Sequence, residues 1–353
     1  MSATIESLTS SPRVGLEPIV HAAEHPPEPS VREGILHLPR ALELFHGGQL
    51  TDVRIAWRLV GPSGAPVVCA LGGISADRRV CVTADPRESW WREIAGRGQP
   101  LDADRFRILG FDYLGGSGES TGPAAGSVFP SISSYDQAEV LLALVNHLGI
   151  KSLQAIAGGS YGGMVALAFA ERYPDRVGAL LTIGAADRPH PLATAWRSTQ
   201  RRLVRFGLQC GHAREAVELA RALAMTTYRT AEEFAARFDG APSCESGEFV
   251  FPVERYLAAR GSAYASRHRP ESFLCLSESI DLHRVNAARI FVPTSAVAVR
   301  EDQLVPLVDV RAMVARLPHA RLHEISSFYG HDAFLKEAGQ LRAIFASVLG
   351  PAP

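Results

Sequence analysis

Two serines share one five-residue spacing, G-x-S-x-G: Gly158-Gly159-Ser160-Tyr161-Gly162 and Gly118-Glu119-Ser120-Thr121-Gly122. A serine hydroxyl becomes a nucleophile only when a positioned base takes its proton. Small residues flanking the serine let the chain reverse sharply and present that hydroxyl, provided a strand enters the turn and a helix leaves it. The helix N-terminus then aims unused N–H groups and the positive end of its dipole at the reacting oxygen. Ser160 meets both conditions, with "LQAIA" before it and "MVALAFA" after it. Ser120 is followed by Thr-Gly-Pro-Ala-Ala-Gly, which begins no helix, so it reads as loop. The competing account of Ser160 is a tight strand-to-helix turn that needs glycine and carries no chemistry.

A serine on such a turn takes its partners from later in the chain, in the order Ser, Asp or Glu, His. Of the 12 histidines, His319, His323 and His331 come late enough. His323 falls inside the strand-like run "ARLHEIS", and His319 sits just before it. His331 lies in "SSFYGHDAFL", a glycine-bearing loop after that strand, from which a base reaches back over the sheet. His331 is therefore the expected base. The loop after the preceding strand, "IFVPTSAVAVREDQLVP", offers Glu301 and Asp302. Asp302 is preferred because apolar packing resumes immediately after it, with Glu301 second; a surface carboxylate is the plain alternative for either. The acid holds the imidazole tautomer and stabilises the imidazolium. An oxyanion needs two backbone N–H donors, expected from Tyr161 and from Leu71 in "ALGGIS", with Gly72 next.

The elements that must position these residues follow from periodicity. "LTDVRIAWRLV" alternates apolar and polar as a half-buried strand does, while "APVVCAL", "FRILGF", "SLQAIAGG" and "RVGALLTIGA" are short apolar runs ending near glycine, as buried parallel strands do. "YDQAEVLLALVNHL" places apolar residues at helical spacing, with Ser133 or Ser134 to cap it and Gly149 to end it. This alternation implies a parallel sheet covered on both faces. The rhythm stops at residues 187–287, which read mostly as amphipathic helices, and resumes at "ARIFVPTSAVAV" and "ARLHEIS". The expected layout is a mobile tail over 1–45, an α/β core over 46–186 and 288–353, and a helical insertion over 187–287 lying above the strand ends. A separate helical domain is the alternative, but the core needs the later strands to be complete.

Composition bounds the rest. The 353 residues are 46% apolar and 21% charged, with 36 basic against 37 acidic groups. No basic excess points to nucleic acid or an anionic membrane, and no apolar run is long enough to span a bilayer. The first 35 residues lack a signal-like apolar core, so the cytoplasm is the expected location. The 5 cysteines (Cys69, Cys81, Cys210, Cys244 and Cys275) are widely spaced, which argues for free thiols rather than a disulfide framework or a zinc site.

The chain also resembles a known family, the homoserine O-acyltransferases of the α/β-hydrolase fold. The similarity is carried by "WWREIAGRGQPLDADRFRILGFDYLGGSGESTGP", "FPSISSYDQAEVLLALVNHLGI", "GGSYGGMVALAFAERYPDRV", "AMTTYRTAEEFAARF" and "YGHDAFL". The resemblance implies an α/β fold with a mostly parallel central sheet and an inserted helical lid, and Ser160, Asp302 and His331 as a catalytic triad. It adds Arg229 and Asp332 as ligands of an amino-acid substrate, an arginine fork for its carboxylate and an aspartate for its ammonium. Read on their own, Arg229 is a helix-end charge and Asp332 a helix cap. The early loop "GGISADRR" is similar to the branch that uses succinyl-CoA. The implied reaction is succinyl transfer to L-homoserine for methionine biosynthesis, with no metal or redox cofactor, by a homodimer. Rival readings are acetyl-CoA as donor, serine as acceptor, or an esterase. A succinyl donor calls for an arginine near the acyl group; Arg78, Arg79, Arg197 and Arg311 are unranked candidates. Most relatives carry methionine where this chain has Tyr161, which makes the Tyr161 side chain a candidate for shaping the acyl pocket.

Overall fold

The computed structural model describes residues 29–81 and 89–350. The central sheet has 8 strands. In chain order these are β1 (Val31–His37), β2 (Arg54–Val60), β3 (Val67–Leu71), β4 (Arg107–Phe111), β5 (Ala155–Gly159), β6 (Leu180–Ile183), β7 (Thr294–Val299) and β8 (Ala320–Ile325). Their order across the sheet is β1-β2-β4-β3-β5-β6-β7-β8. The pairs from β4 to β8 are parallel, while β1–β2 and β2–β4 are antiparallel. Parallel strands buried on both faces have no polar side to show, which is why they read as unbroken apolar runs. Successive residues of β3 alternate between two apolar layers: Cys69 and Leu71 face one, Val68 and Ala70 the other.

Helices cover both faces. α1 (Ser134–His147) and α2 (Tyr161–Arg172) pack against each other on the first layer, and α10 (Ala338–Leu349) covers the second. α1 begins at a capping box: the Ser133 side chain accepts from the Tyr135 N–H, and Asp136 accepts from the Ser133 N–H at 2.7 Å. α8 (Leu307–Val314) and the single turn α9 (Ala333–Lys336) complete the late part of the core.

The segment between β6 and β7 is inserted between two strands that lie side by side, Leu180 opposite Thr294. It contains α3 (Pro191–Cys210), α4 (Ala213–Tyr228), α5 (Ala231–Phe238), α6 (Pro252–Ala265) and α7 (Pro270–Asp281). An exposed hairpin, Ser243–Glu245 with Glu248–Val250, also lies there, and the helical reading of this region did not find it. Val204, Val217, Ala220, Tyr264 and Phe273 give these helices a small core of their own.

The expected tail needs correction. Residues 1–28 lie outside the described residues, but Val31–His37 is strand β1, paired along its length with β2. Its signal is weak because it is an edge strand. Only Leu36 is buried, and main-chain pairing rather than apolar burial recruits it. Among the described residues, no helix is long and apolar enough to cross a membrane.

Candidate active site

The sheet order reverses around β3, where β4 and β5 flank it and their connections leave in opposite directions; crevices form there, at the carboxyl ends of the strands. Ser160 follows the last residue of β5 and opens α2. Its backbone is at φ +54°, ψ −121°, a sparsely populated conformation that costs ~1–3 kcal/mol. The flanking glycines are required by close backbone crossing. A Cβ on Gly158 would lie 2.3 Å from the Gly162 carbonyl oxygen, and one on Gly162 would lie 2.3 Å from that of Leu71. The turn is held by the Ser160 N–H donating to Ile183 O at 2.8 Å.

Ser160 Oγ lies 2.8 Å from His331 Nε2, and His331 Nδ1 lies 2.6 Å from Asp302 Oδ2. An ionised carboxylate only accepts, so Nδ1 carries the proton and Nε2 is left to accept from the hydroxyl. The other oxygen of Asp302 accepts from the backbone N–H of Leu304 and Val305, at 2.8 and 3.0 Å. Asp302 is therefore fixed at both oxygens. Burial alone would push the His331 imidazole down. The charge of Asp302, its hydrogen bond and the charge of Asp332 outweigh burial, and the net pKa lies above the ordinary histidine value.

The other candidates fall elsewhere. His323 Nε2 lies 3.4 Å from Ser295 Oγ, and the His319 carbonyl serves Thr294. Glu301 accepts from Ser326 Oγ and from the Ser327 N–H, which binds it to the end of β8 rather than to the imidazole. Ser120 is buried, donating to Asp112 O at 2.6 Å and accepting from the Ala56 N–H at 3.0 Å. Its hydroxyl ties β2 to β4's exit loop.

Ser160 and His331 line a cavity of about 190 Å³, together with Asp332, Arg197, Tyr228 and the loop Gly73–Ala76. Leu71 ends β3, opposite Gly158, and Tyr161 is the first residue of α2, whose N–H has no partner within the helix. Asp332 meets Arg229 at 2.9 Å, and Arg229 also donates from Nη1 to both oxygens of Glu233, at 2.9 and 3.0 Å. Arg229 Nε is buried without a hydrogen-bond partner among the described residues. Glu233 went unnoticed in the sequence; its four-residue spacing from Arg229 on a helix start was the available signal.

The arginines now separate. Arg78 is buried between Asp112, at 2.5 Å, and Glu119. Arg311 pairs with Glu324 on an exposed surface, and Arg79 lies 3.9 Å from Asp77, also partly exposed. Of the four, Arg197 alone lines the cavity with Ser160. Its Nε and Nη2 donate to Asp281, at 2.9 and 2.6 Å, leaving Nη1 unengaged among the described residues.

The Tyr161 side chain is corrected too. It is fully buried and does not line the cavity. Its hydroxyl meets Ser279 Oγ on α7 at 2.5 Å, and its ring packs edge-on to Tyr113 at 5.1 Å. The side chain of the first helical residue points away from the hydroxyl beside it, so the pair joins α2 to the helical segment. Tyr113 donates in turn to the Gly72 carbonyl at 2.7 Å, bracing the early loop.

Comparison with known proteins agrees with this architecture. Residues 70–338 match the family described as the alpha/beta hydrolase fold. The chain is 41% identical over 345 residues to the homoserine O-succinyltransferase of Xanthomonas campestris pv. campestris, covering 97% of this chain and 90% of that one. It is 30% identical to the serine O-succinyltransferase of Litchfieldella anticariensis, covering 89% and 97%. Among solved structures, a homoserine O-acetyltransferase from Bacillus anthracis has the same fold, with a TM-score of 0.82 at 16% identity over 91% of this chain and 98% of that one. By sequence and by fold, the chain belongs to the homoserine O-acyltransferases of the α/β-hydrolase family.

Proposed function

We propose that the protein transfers a succinyl group from succinyl-CoA to the hydroxyl of L-homoserine, with Ser160, His331 and Asp302 as its catalytic triad. The observation that carries this is the Ser160–His331–Asp302 relay opening on a cavity whose wall holds both an unengaged guanidinium nitrogen, on Arg197, and the carboxylate of Asp332. The near full-length likeness to a homoserine O-succinyltransferase supports the choice of substrates.

In the first step His331 Nε2 takes the Ser160 proton as Oγ attacks the thioester carbonyl. The backbone N–H groups of Leu71 and Tyr161 are the donors that face the oxyanion, and losing one such donor costs ~10²–10³ in turnover. The C–S bond breaks, and the leaving thiolate receives the proton from His331, giving free CoA and succinyl-Ser160. In the second step the homoserine hydroxyl, positioned by Asp332 at its ammonium and Arg229 at its carboxylate, gives its proton to His331 and attacks the ester. The proton returns to Ser160 Oγ and O-succinyl-L-homoserine leaves. Asp302 holds the tautomer and stabilises the imidazolium in both steps. Arg197 pairs with the free carboxylate of the succinyl group, which acetyl lacks. Every step is acid–base chemistry and acyl transfer, so the reading calls for no metal or redox cofactor.

The protein is read as a homodimer joined through its helical segment. Phe206, Leu219, Phe249 and Phe251, all exposed, are in that segment. Sedimentation equilibrium checks this, and a concentration-independent monomer would refute it.

The reaction is tested by following free thiol with succinyl-CoA and acetyl-CoA side by side at saturating homoserine. A thiol burst with succinyl-CoA before homoserine is added is expected. Release from acetyl-CoA alone would overturn the donor, and equal turnover without any acceptor would make the protein an esterase. Serine outcompeting homoserine would overturn the acceptor.

A further inference from the structure

A second cavity of about 620 Å³ adjoins the one holding Ser160. Both are lined by Ile74, Ser75, Ala76, Trp90, Arg221, Tyr264 and Leu335, so the two lie side by side. The inner cavity, about 190 Å³, is smaller than the ~300–1,000 Å³ of pockets that bury a drug-sized ligand. It has room for the acyl group, the thioester and a small amino acid. The remainder of a coenzyme A donor has to lie outside it.

The outer cavity differs in charge. Its cations are Arg92, Arg221, Arg260, Arg267 and Lys336, and its carboxylates are Asp77, Glu93 and Asp112. Asp112 is already held by Arg78 at 2.5 Å, and Glu93 lies 3.6 Å from Arg92. Among the described residues, no carboxylate is within ion-pair distance of Arg221, Arg260, Arg267 or Lys336. Elsewhere in this chain the inward arginines Arg78, Arg197, Arg201 and Arg229 are each matched by a carboxylate. Arg260, Ala263, Tyr264 and Arg267 recur at three- and four-residue intervals, so one face of α6 and the turn after it carry the cations toward the cavity. Arg221 stands at the junction, 5.2 Å from the Tyr228 ring centre and 4.9 Å from that of Tyr264. The two rings hold the guanidinium without neutralising it.

We propose that the outer cavity binds the phosphorylated nucleotide end of the acyl donor, with Arg260, Arg267 and Lys336 gripping its diphosphate and ribose phosphate and Arg221 guarding the passage to Ser160. This rests on the acyl-CoA reading above. Unmatched cations lining a cavity repel one another until an anion enters, and the planar arginine fork matches phosphate oxygens. Pantetheine then threads between the loop Gly73–Ala76 and Leu335, and the thioester reaches Ser160.

The test is calorimetric titration of the full chain with coenzyme A, which needs no turnover. Arg260 and Arg267 are exposed, so Arg260→Gln/Arg267→Gln keeps the fold. The double variant is expected to bind coenzyme A about 10- to 100-fold more weakly. Adenosine 3′,5′-bisphosphate is expected to displace coenzyme A from the wild type, added salt to weaken binding, and Arg260→Lys/Arg267→Lys to restore part of the affinity. Unchanged affinity in the glutamine variant, a loss that lysine leaves unrescued, or failure of the bisphosphate to compete would each overturn the proposal. Coenzyme A failing to bind the wild type would overturn both this site and the acyl-CoA reading. The expected binding pattern without thiol release from any acyl-CoA would keep the site and remove the acyl-transfer reading.

Discussion

The α/β core and the helical segment both reach the inner cavity, and they do so by opposite means. The core contributes a hydroxyl, an imidazole and a carboxylate, matched one to one, on loops that leave the ends of β5, β7 and β8. Two of the three are anchored by backbone: Ser160 through Ile183, Asp302 through Leu304 and Val305. The helical segment contributes charge networks. Thr194, Arg197 and Arg201 converge on Asp281, and Arg229 and Arg237 converge on Glu233. Chemistry requires reacting groups held within about 0.5 Å of the productive geometry, which a sheet packed on both faces supplies. Recognition requires charge matched to charge, which helices carry and can change without disturbing the sheet. Substitutions in the core should therefore change turnover, and substitutions in the helical segment should change which substrate is used.

The strongest test of that division is Ser160→Ala. Turnover should fall by about 10⁴-fold or more, the thiol burst should vanish, and His331→Ala added to it should cost little further, since the relay acts as a unit. Full activity in Ser160→Ala would remove the mechanism. Asp302→Asn comes next, with a loss of about 10³- to 10⁴-fold. It also carries a pH signature. His331 must be neutral to accept a proton, so kcat/KM rises with pH through the imidazole pKa. In the wild type that limb is displaced upward from the ordinary histidine value, because Asp302 favours the charged ring against burial. Without the carboxylate, burial prevails and the limb moves to lower pH; a profile that stays in place would show that Asp302 is not the cause.

Arg197→Leu tests the other side of the comparison. We expect kcat/KM for succinyl-CoA to drop about 10- to 100-fold, with acetyl-CoA little affected. Asp281 keeps Arg201 at 2.6 Å, so it is not stranded. Equal losses with both donors would mean that Arg197 supports structure rather than reads the acyl group. The smallest effect on catalysis should come from Ser120→Ala, the second serine of the repeated motif. Its hydroxyl bridges Asp112 O and the Ala56 N–H. Removing it should lower stability by about 1–3 kcal/mol, seen in the denaturant midpoint, and leave kcat unchanged. A loss of turnover beyond a few-fold in a folded Ser120→Ala protein would break the distinction drawn between the two motifs.

That distinction is legible in the sequence alone, because it depends on local sequence. Apolar runs and a following helix surround Ser160, while Thr-Gly-Pro follows Ser120. The strands β3 to β7 were legible for the same reason: a strand buried on both faces must be apolar throughout. β1 was not, since an exposed edge strand is held by main-chain pairing that leaves little mark on side-chain pattern. The hairpin at Ser243–Val250 escaped similarly, being short and exposed.

By itself, the sequence determined the α/β rhythm, the place of the helical segment and the chain order of serine, acidic pair and histidine, all set by nearby residue spacing. The tertiary structure decided what spacing leaves open. It brought Asp302 rather than Glu301 to the imidazole, put Arg197 alone of four arginines on the wall of the Ser160 cavity, and turned Tyr161 away from the cavity toward Ser279. The physical reason is range. Backbone conformation answers to neighbours a few residues away, whereas the His331–Ser160 contact joins residues 171 apart and Tyr161–Ser279 residues 118 apart. Which side chains meet at such separations is set by how the packed layers orient them, and no local pattern records that.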